Sequence, residues 1–186
     1  MNKLFEIIII FMFLPILILL VFIICSLLFF ESKGSIIYWS KRVGANNTIF
    51  FMPKFRTMKK QAPQVASHLL INPEEYITTI GYYLRKFSLD EIPQIYSIIK
   101  GDMKIIGPRP ALYNQHDLIT LRKKNGLDKM PPGITGWAQI NGRDELSIIE
   151  KVNYEIYYLK NKSFILDLKI IFMTFIKVFK SKNVTH

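Results

Sequence analysis

The chain has 186 residues, half of them hydrophobic, with 25 Lys and Arg against 14 Asp and Glu, a net charge of +11 and a pI near 9.7. That length fits one domain with little to spare, and the positive excess leaves nucleic acid, an acidic membrane surface and a phosphorylated substrate as partner classes. A lone cysteine, Cys25, excludes an internal disulfide and argues against a Cys-built zinc site, and His68, His116 and His186 fall in no metal-ligand spacing.

Residues 7–30 read "IIIIFMFLPILILLVFIICSLLFF", 24 positions without a charge. About 20 apolar residues cross a hydrocarbon core. No small-residue cleavage pattern follows the run, so it reads as a retained anchor and not as a signal peptide that is removed. Pro15 deletes a backbone donor a third of the way in, and in lipid the carbonyl it frees must find another partner. Two shapes satisfy this: a kinked helix that spans, and a re-entrant hairpin that leaves on the side it entered. Lys3 flanks one end and Lys33, Lys41 and Arg42 the other. By the positive-inside rule these charges hold the downstream domain in the cytoplasm and leave the two shapes level.

Behind the anchor, β-branched and aromatic residues in "SIIYW" and "TIFFMPKF" flank the turn chemistry of "RVGANN". This predicts a β-hairpin over residues 36–55 that delivers Lys54 and Arg56 at its far end. Residues 59–78, with Pro63 and Pro73, read as a loop with short helices, and 79–86 as a helical turn. Ile92, Ile95, Tyr96 and Ile99 have helical spacing and end at Gly101 as a C-cap. Polar helices are expected over 111–125 and 145–160, with His116 and Asp117 on the surface in preference to a sugar pocket. The last apolar stretch, "SFILDLKIIFMTFIKVFKSK", carries Lys169, Met173, Lys177 and Lys180 along one line. A wide apolar face with a narrow lysine stripe suits a helix lying in a membrane interface better than a core helix. The fold class is α+β and helix-dominated.

The adjacent carboxylates Asp90 and Glu91 have two readings. "SLDE" is a capping-box pattern with Ser88 as N-cap, and Pro93 suits a helix start, which makes the pair structural. The neighbours suggest chemistry instead. Arg85 precedes the pair, Arg109 sits in the proline-bracketed turn Gly107–Pro108–Arg109–Pro110, Arg143 follows Asn141–Gly142, and Lys54 and Arg56 end the hairpin. Guanidinium groups bind two phosphate oxygens at once. Carboxylates bind the magnesium of a diphosphate or attack phosphorus as nucleophiles. Together these groups suit phosphoryl transfer from a nucleotide, and cations nearby keep a carboxylate ionised.

The motifs "KRVG" (41–44), "KFRTM" (54–58), "RKFSLDEIPQI" (85–95), "KGDMKIIGPRP" (100–110), "PPGITGWAQINGR" (131–143) and "SFILDLKI" (163–170) occur in one order along nearly the whole chain. In these the chain resembles the bacterial sugar transferases, the small monotopic phosphoglycosyl transferases. The resemblance implies transfer of a phosphosugar from a UDP-sugar to undecaprenyl phosphate with release of UMP, the first membrane step of O-antigen, capsule or glycoprotein glycan assembly. It implies Asp90 as the nucleophile that carries the phosphosugar covalently, and Glu91 as its partner. Mg2+ would be held at Asp90 and Glu91, and phosphates by Lys54, Arg56, Arg85 and Arg109. Arg143 would meet the nucleotide or tie its loop down.

The resemblance further implies that residues 1–32 form a re-entrant membrane helix broken near Pro15. Residues 33–186 would form a catalytic domain at the membrane interface, on the cytoplasmic face of the bacterial inner membrane. It leaves room for an interfacial homodimer and leans the donor towards a 2-acetamido sugar. No nucleic-acid-binding signature is present. A catalytically silent scaffold of a polysaccharide assembly complex is the rival from another class. An ordinary glycosyltransferase releasing UDP would carry an Asp-x-Asp motif, and the chain has none.

Overall fold

The computed structural model describes residues 3–32, 35–62, 72–142 and 145–180. Lys33, Pro63, His68, Arg143 and His186 lie outside the described residues.

A single 30-residue helix, α1 (Lys3–Ser32), takes up the apolar front end, and an 18-residue window within its stretch Glu6–Glu31 has a mean hydropathy of 3.6. By length and composition it is apolar enough to cross a membrane. In place of the expected break, the helix runs on through Pro15. The proline ring removes one intrahelical bond, and the bonds of the neighbouring turns carry the helix past it.

Both ends of α1 dock on the rest of the protein. Near its start, Glu6 Oε1 accepts from the Ile105 amide at 3.3 Å, and Ile10 packs in a core with Phe50, Met52, Ile98 and Met103. Near its end, Ile24 and Leu28 pack with Phe55 and Leu84, and Glu31 Oε1 accepts from the Ile80 amide at 2.9 Å. Between and around these anchors, Phe11, Met12, Ile16, Leu19 and Phe22 are exposed.

The hairpin forms as expected. β1 (Ile37–Val43) pairs antiparallel with β2 (Ile49–Phe55), Tyr38 opposite Lys54, across a 3-10 turn at Ala45–Asn47. α2 (Thr79–Lys86) is capped by the Thr78 hydroxyl on the Gly81 amide, and a 3-10 helix (Leu89–Gln94) leads into α3 (Ile95–Lys100). Gly101 ends α3 at φ 99°, the left-handed conformation the C-cap expectation required. β3 (Lys104–Ile106) then pairs in parallel with β4 (Gly133–Thr135), enclosing α4 (His116–Lys124) in the crossover. α4 begins at His116, five residues later than the expected 111; Pro110 and the turn after it keep that stretch out of the helix. His116 and Asp117 are exposed, on the surface as expected.

The chain closes with α5 (Trp137–Ile140), α6 (Ile148–Asn161) and α7 (Phe164–Lys180). Ser147 and Glu150 form a reciprocal capping box at the start of α6. Tyr158 on α6 donates to Asp167 on α7 at 2.7 Å; burial first, then the Asp167 carboxylate, holds the Tyr158 hydroxyl protonated well above the usual phenol range. Thr135 and Thr174 share a hydroxyl contact of 2.7 Å that ties α7 to β4. α7 thus packs one face under the domain, with Ile170 buried, while Phe164, Ile165, Leu168, Phe172 and Phe175 remain exposed beside Lys169 and Lys177.

Backbones approach most closely where β3 meets β4. A methyl group on Gly133 would collide with the main chain of Ile106, Gly107 and Thr135. Overpacking of this kind costs about 1–3 kcal/mol, so Gly133→Ala is expected to lower the thermal unfolding midpoint of the detergent-solubilised protein. An unchanged midpoint would show that the two strands have room to part.

Candidate active site

The 3-10 helix Leu89–Gln94 sets Asp90 and Glu91 on adjacent positions against β2. The capping box read from "SLDE" does not form: Ser88 stands at φ 55°, ψ 21°, left-handed, and its side chain makes no cap bond. A residue in that conformation turns the chain sharply, so Ser88 marks a corner between α2 and the 3-10 helix instead of capping a regular helix.

Both carboxylates are nearly buried, at 7% and 6% exposure. Glu91 Oε1 accepts from Lys54 Nζ at 2.8 Å and from Arg109 Nη2 at 3.1 Å, so one oxygen joins two cations. Asp90 is held more loosely, with Oδ2 at 3.4 Å from Lys54 Nζ. Arg85 lies within electrostatic reach of Asp90; burial pushes its guanidinium pKa down and the Asp90 charge opposes that shift. Its Nε donates to the Thr57 hydroxyl at 2.9 Å, while its buried Nη1 has no hydrogen-bond partner among the described residues. A buried guanidinium N–H without a partner is costly, and an anion next to it would remove the cost.

Of the residues singled out in the sequence, Lys54, Arg85, Asp90, Glu91 and Arg109 are brought together. Arg56 is engaged elsewhere: its Nε donates to the Ser35 carbonyl at 2.7 Å and its guanidinium lies 5.8 Å from the Tyr38 ring centre. Arg143 lies outside the described residues.

Sequence reasoning passed over Gln94, Arg122 and Glu155, and read Arg42 as a charge flanking the anchor. Gln94 is buried four residues beyond Asp90, with its Nε2 unpartnered among the described residues. Arg122 and Glu155 form a buried pair, with Arg122 Nε donating to Glu155 Oε2 at 2.8 Å. The pairing of Arg122 with Glu155 spans 33 residues and leaves no local pattern.

The donor set fits Mg2+. Among the described residues no cluster of three or more His, Cys, Asp or Glu stands ready as a closed metal cage. Magnesium does not require one, because it keeps several waters and is shared between one or two carboxylates and substrate phosphates. Asp90, with the longer cation contact of the pair, would be the better placed oxygen ligand.

An acidic pair buried among cations, one carboxylate tightly bound and the other loosely, is an arrangement that suits phosphate chemistry. The chain matches the bacterial sugar transferase family over residues 1–181 and belongs to that family. It is 39% identical over 152 residues to the uncharacterized sugar transferase EpsL of Bacillus subtilis, covering 81% of this chain and 74% of EpsL. It is 35% identical over 173 residues to the exopolysaccharide production protein ExoY of Rhizobium meliloti, covering 82% and 74%. A UDP-glucose:undecaprenyl-phosphate glucose-1-phosphate transferase of Escherichia coli is 35% identical over 159 residues, 82% of this chain but 34% of that longer protein.

The geometry separates the cations by role. Removing a charged donor aimed at the reacting groups costs roughly 100-fold or more in turnover. Lys54→Ala and Arg109→Ala are expected to lose at least that, and Arg56→Ala less than about threefold. Steady-state rates of the three variants decide it; equal losses at Arg56 and Arg109 would contradict the assignment.

Proposed function

We propose that this bacterial sugar transferase moves a sugar 1-phosphate from a UDP-sugar to undecaprenyl phosphate, through a covalent intermediate on Asp90, and releases UMP. The observation that carries this reading is the unequal treatment of the two carboxylates. Glu91 is bound by Lys54 and Arg109, whereas among the described residues Asp90 has the long Lys54 contact and the field of Arg85. A nucleophile must not be consumed by its neighbours, and the 3.4 Å separation of Asp90 Oδ2 from Lys54 Nζ leaves it that freedom.

In this mechanism an Asp90 carboxylate oxygen attacks the β-phosphorus. The bond from that phosphorus to the bridging oxygen breaks, and its electron pair leaves with UMP. A phosphate oxygen of undecaprenyl phosphate then attacks the same phosphorus, the bond to Asp90 breaks, and the carboxylate is restored. Arg109 and Arg85 hold phosphate oxygens through both steps, and Lys54 keeps Glu91 and Asp90 in register. Glu91 anchors both cations and orients its neighbour. Mg2+, when bound, supplies charge neutralisation for the diphosphate.

Relatives whose names state a sugar include glucose-1-phosphate transferases and a galactosyl transferase. These names favour an unmodified hexose over the 2-acetamido sugar that the motifs suggested, so both classes belong in the donor panel. The test is nucleotide release by the protein in nanodiscs with Mg2+, undecaprenyl phosphate and UDP-glucose, UDP-galactose and their 2-acetamido counterparts. UMP is expected with one or two donors; release of UDP would refute the phosphosugar mechanism, and no release with any donor would favour a silent scaffold. Asp90→Asn is expected to abolish turnover and covalent retention of sugar-labelled donor, and Glu91→Gln to slow turnover while label stays on the protein. Label on Asp90→Asn protein would place the nucleophile elsewhere.

The membrane reading follows from α1. Glu6 and Glu31 both hydrogen-bond to the same domain. They are 25 positions apart, about 38 Å at 1.5 Å per residue. A helix standing across the bilayer would carry its start away from that domain by the full hydrocarbon thickness. We therefore infer that both ends lie on the cytoplasmic side and that the exposed side of α1 rests in lipid, with the exposed face of α7 beside it. In a Cys25→Ser background, Lys3→Cys and the surface variant Lys123→Cys are expected to resist an impermeant maleimide in intact cells and to react after lysis. Labelling of Lys3→Cys in intact cells would establish a spanning helix.

A further inference from the structure

The turn that presents Arg109 has every carbonyl from residue 107 to 111 engaged. Gln139 Nε2 reaches the Gly107 carbonyl at 3.4 Å, the Gly133 amide the Pro108 carbonyl at 2.8 Å, and the Val43 amide the Ala111 carbonyl at 3.0 Å. The two central carbonyls are taken by guanidinium groups from distant elements. Arg122 Nη2 on α4 donates to the Arg109 carbonyl at 3.0 Å, and Arg42 Nη1 on β1 donates to the Pro110 carbonyl at 3.1 Å.

These bonds complete what the prolines begin. Pro108 and Pro110 fix their own φ angles but leave ψ free. The direction of a carbonyl sets ψ of its own residue, so donors on three successive carbonyls fix ψ at 108, 109 and 110. With those torsions held, the base of the Arg109 side chain has a set direction, and its guanidinium meets Glu91 at 3.1 Å.

Arg122 is an unusual residue to place there for stability alone. It is 8% exposed and Glu155 is 3% exposed. A buried ion pair gains little over apolar side chains of similar volume, because both charges lose their hydration. The fork of Arg122 binds both Glu155 oxygens and still has a hydrogen for the Arg109 carbonyl. An ammonium group in its place has one nitrogen and cannot span the three acceptors.

We propose that Arg122, oriented by Glu155, and Arg42 are positioning residues for the phosphosugar transfer. They lock the 107–111 turn so that Arg109 points at Glu91 and at the phosphate between them. This rests on the proposed function of the Asp90 site. Small displacements of a group that aligns substrate cost about 10- to 100-fold in rate.

The test uses the full chain in nanodiscs with Mg2+, undecaprenyl phosphate and the donor it turns over. Arg122→Lys and the paired replacement Arg122→Leu with Glu155→Leu are each made in the parent and in the Arg109→Ala protein. In the parent background each is expected to lower kcat by about 10- to 100-fold with an unchanged KM for the acceptor. In the Arg109→Ala background neither should cost anything further, because the residue they act through is gone. Equal losses in both backgrounds would mean a merely structural pair and would overturn the proposal. Should the paired replacement unfold, Arg122→Lys keeps the counter-charge for Glu155 and decides the matter.

Deuterium uptake of segment 104–113 supplies a readout independent of turnover. It is expected to quicken in Arg122→Lys while the rest of the domain stays protected, and unchanged uptake would refute the clamp. Absence of UMP release by the parent would defeat the proposed function by itself, and the uptake measurement would still decide whether Arg122 holds the turn.

Discussion

One carboxylate oxygen organises the site. Glu91 Oε1 bridges Lys54, 37 residues upstream, and Arg109, 18 residues downstream. It thereby ties together the end of β2, the 3-10 helix and the turn after β3, three segments with no continuous secondary structure between them. With both partners largely desolvated, these charge-assisted bonds are stronger than surface ion pairs, and loss of Glu91 would leave two cations facing each other. Asp90 owes its loose environment to this arrangement, because its neighbour absorbs most of the available positive charge.

A second layer carries the first. The Glu91 bridge needs Arg109 in place, the 107–111 turn needs its carbonyls held, and two of those carbonyls depend on Arg42 and Arg122. The hairpin therefore contributes twice, through Lys54 to the acidic pair and through Arg42 and Val43 to the turn. Gly107, Gly133 and Gly136 let the backbones on the far side of the turn come together without side chains between them. The "PPGITGWAQINGR" motif supplies a floor for the Arg109 turn.

Features with a local cause were legible in the sequence. The hairpin, the Gly101 cap and the short helix at 79–86 each follow from residues within a few positions of one another, and the structure contains all three. The cations around Asp90 and Glu91 were legible because charge is visible in the residue type. The Ser88 capping box was misread because the same four letters serve a left-handed corner, and only the path of the chain chooses between them. At Pro15 the helix continues although the ring removes one hydrogen bond, because the bonds of the neighbouring turns bridge the gap, so the residue type alone does not set the path of the chain. Whether a cation meets phosphate or a carbonyl depends on long-range geometry, and so Arg56, bound to Ser35, could not be told from Lys54 by spacing.

The two docked ends of α1 bear on the order in which the protein is made. α1 is synthesised before the elements it packs on: the buried side chains that join Ile10 and Leu28 belong to the hairpin, α2, α3 and the segment before β3, as far on as Met103. Until those residues emerge from the ribosome, a helix apolar on every side has only lipid to bury it. On the membrane reading proposed above, the bilayer would serve as a holding environment during synthesis, and the domain would complete its core by closing onto that helix. A protein shortened from its start would lack the wall on which its own hairpin packs.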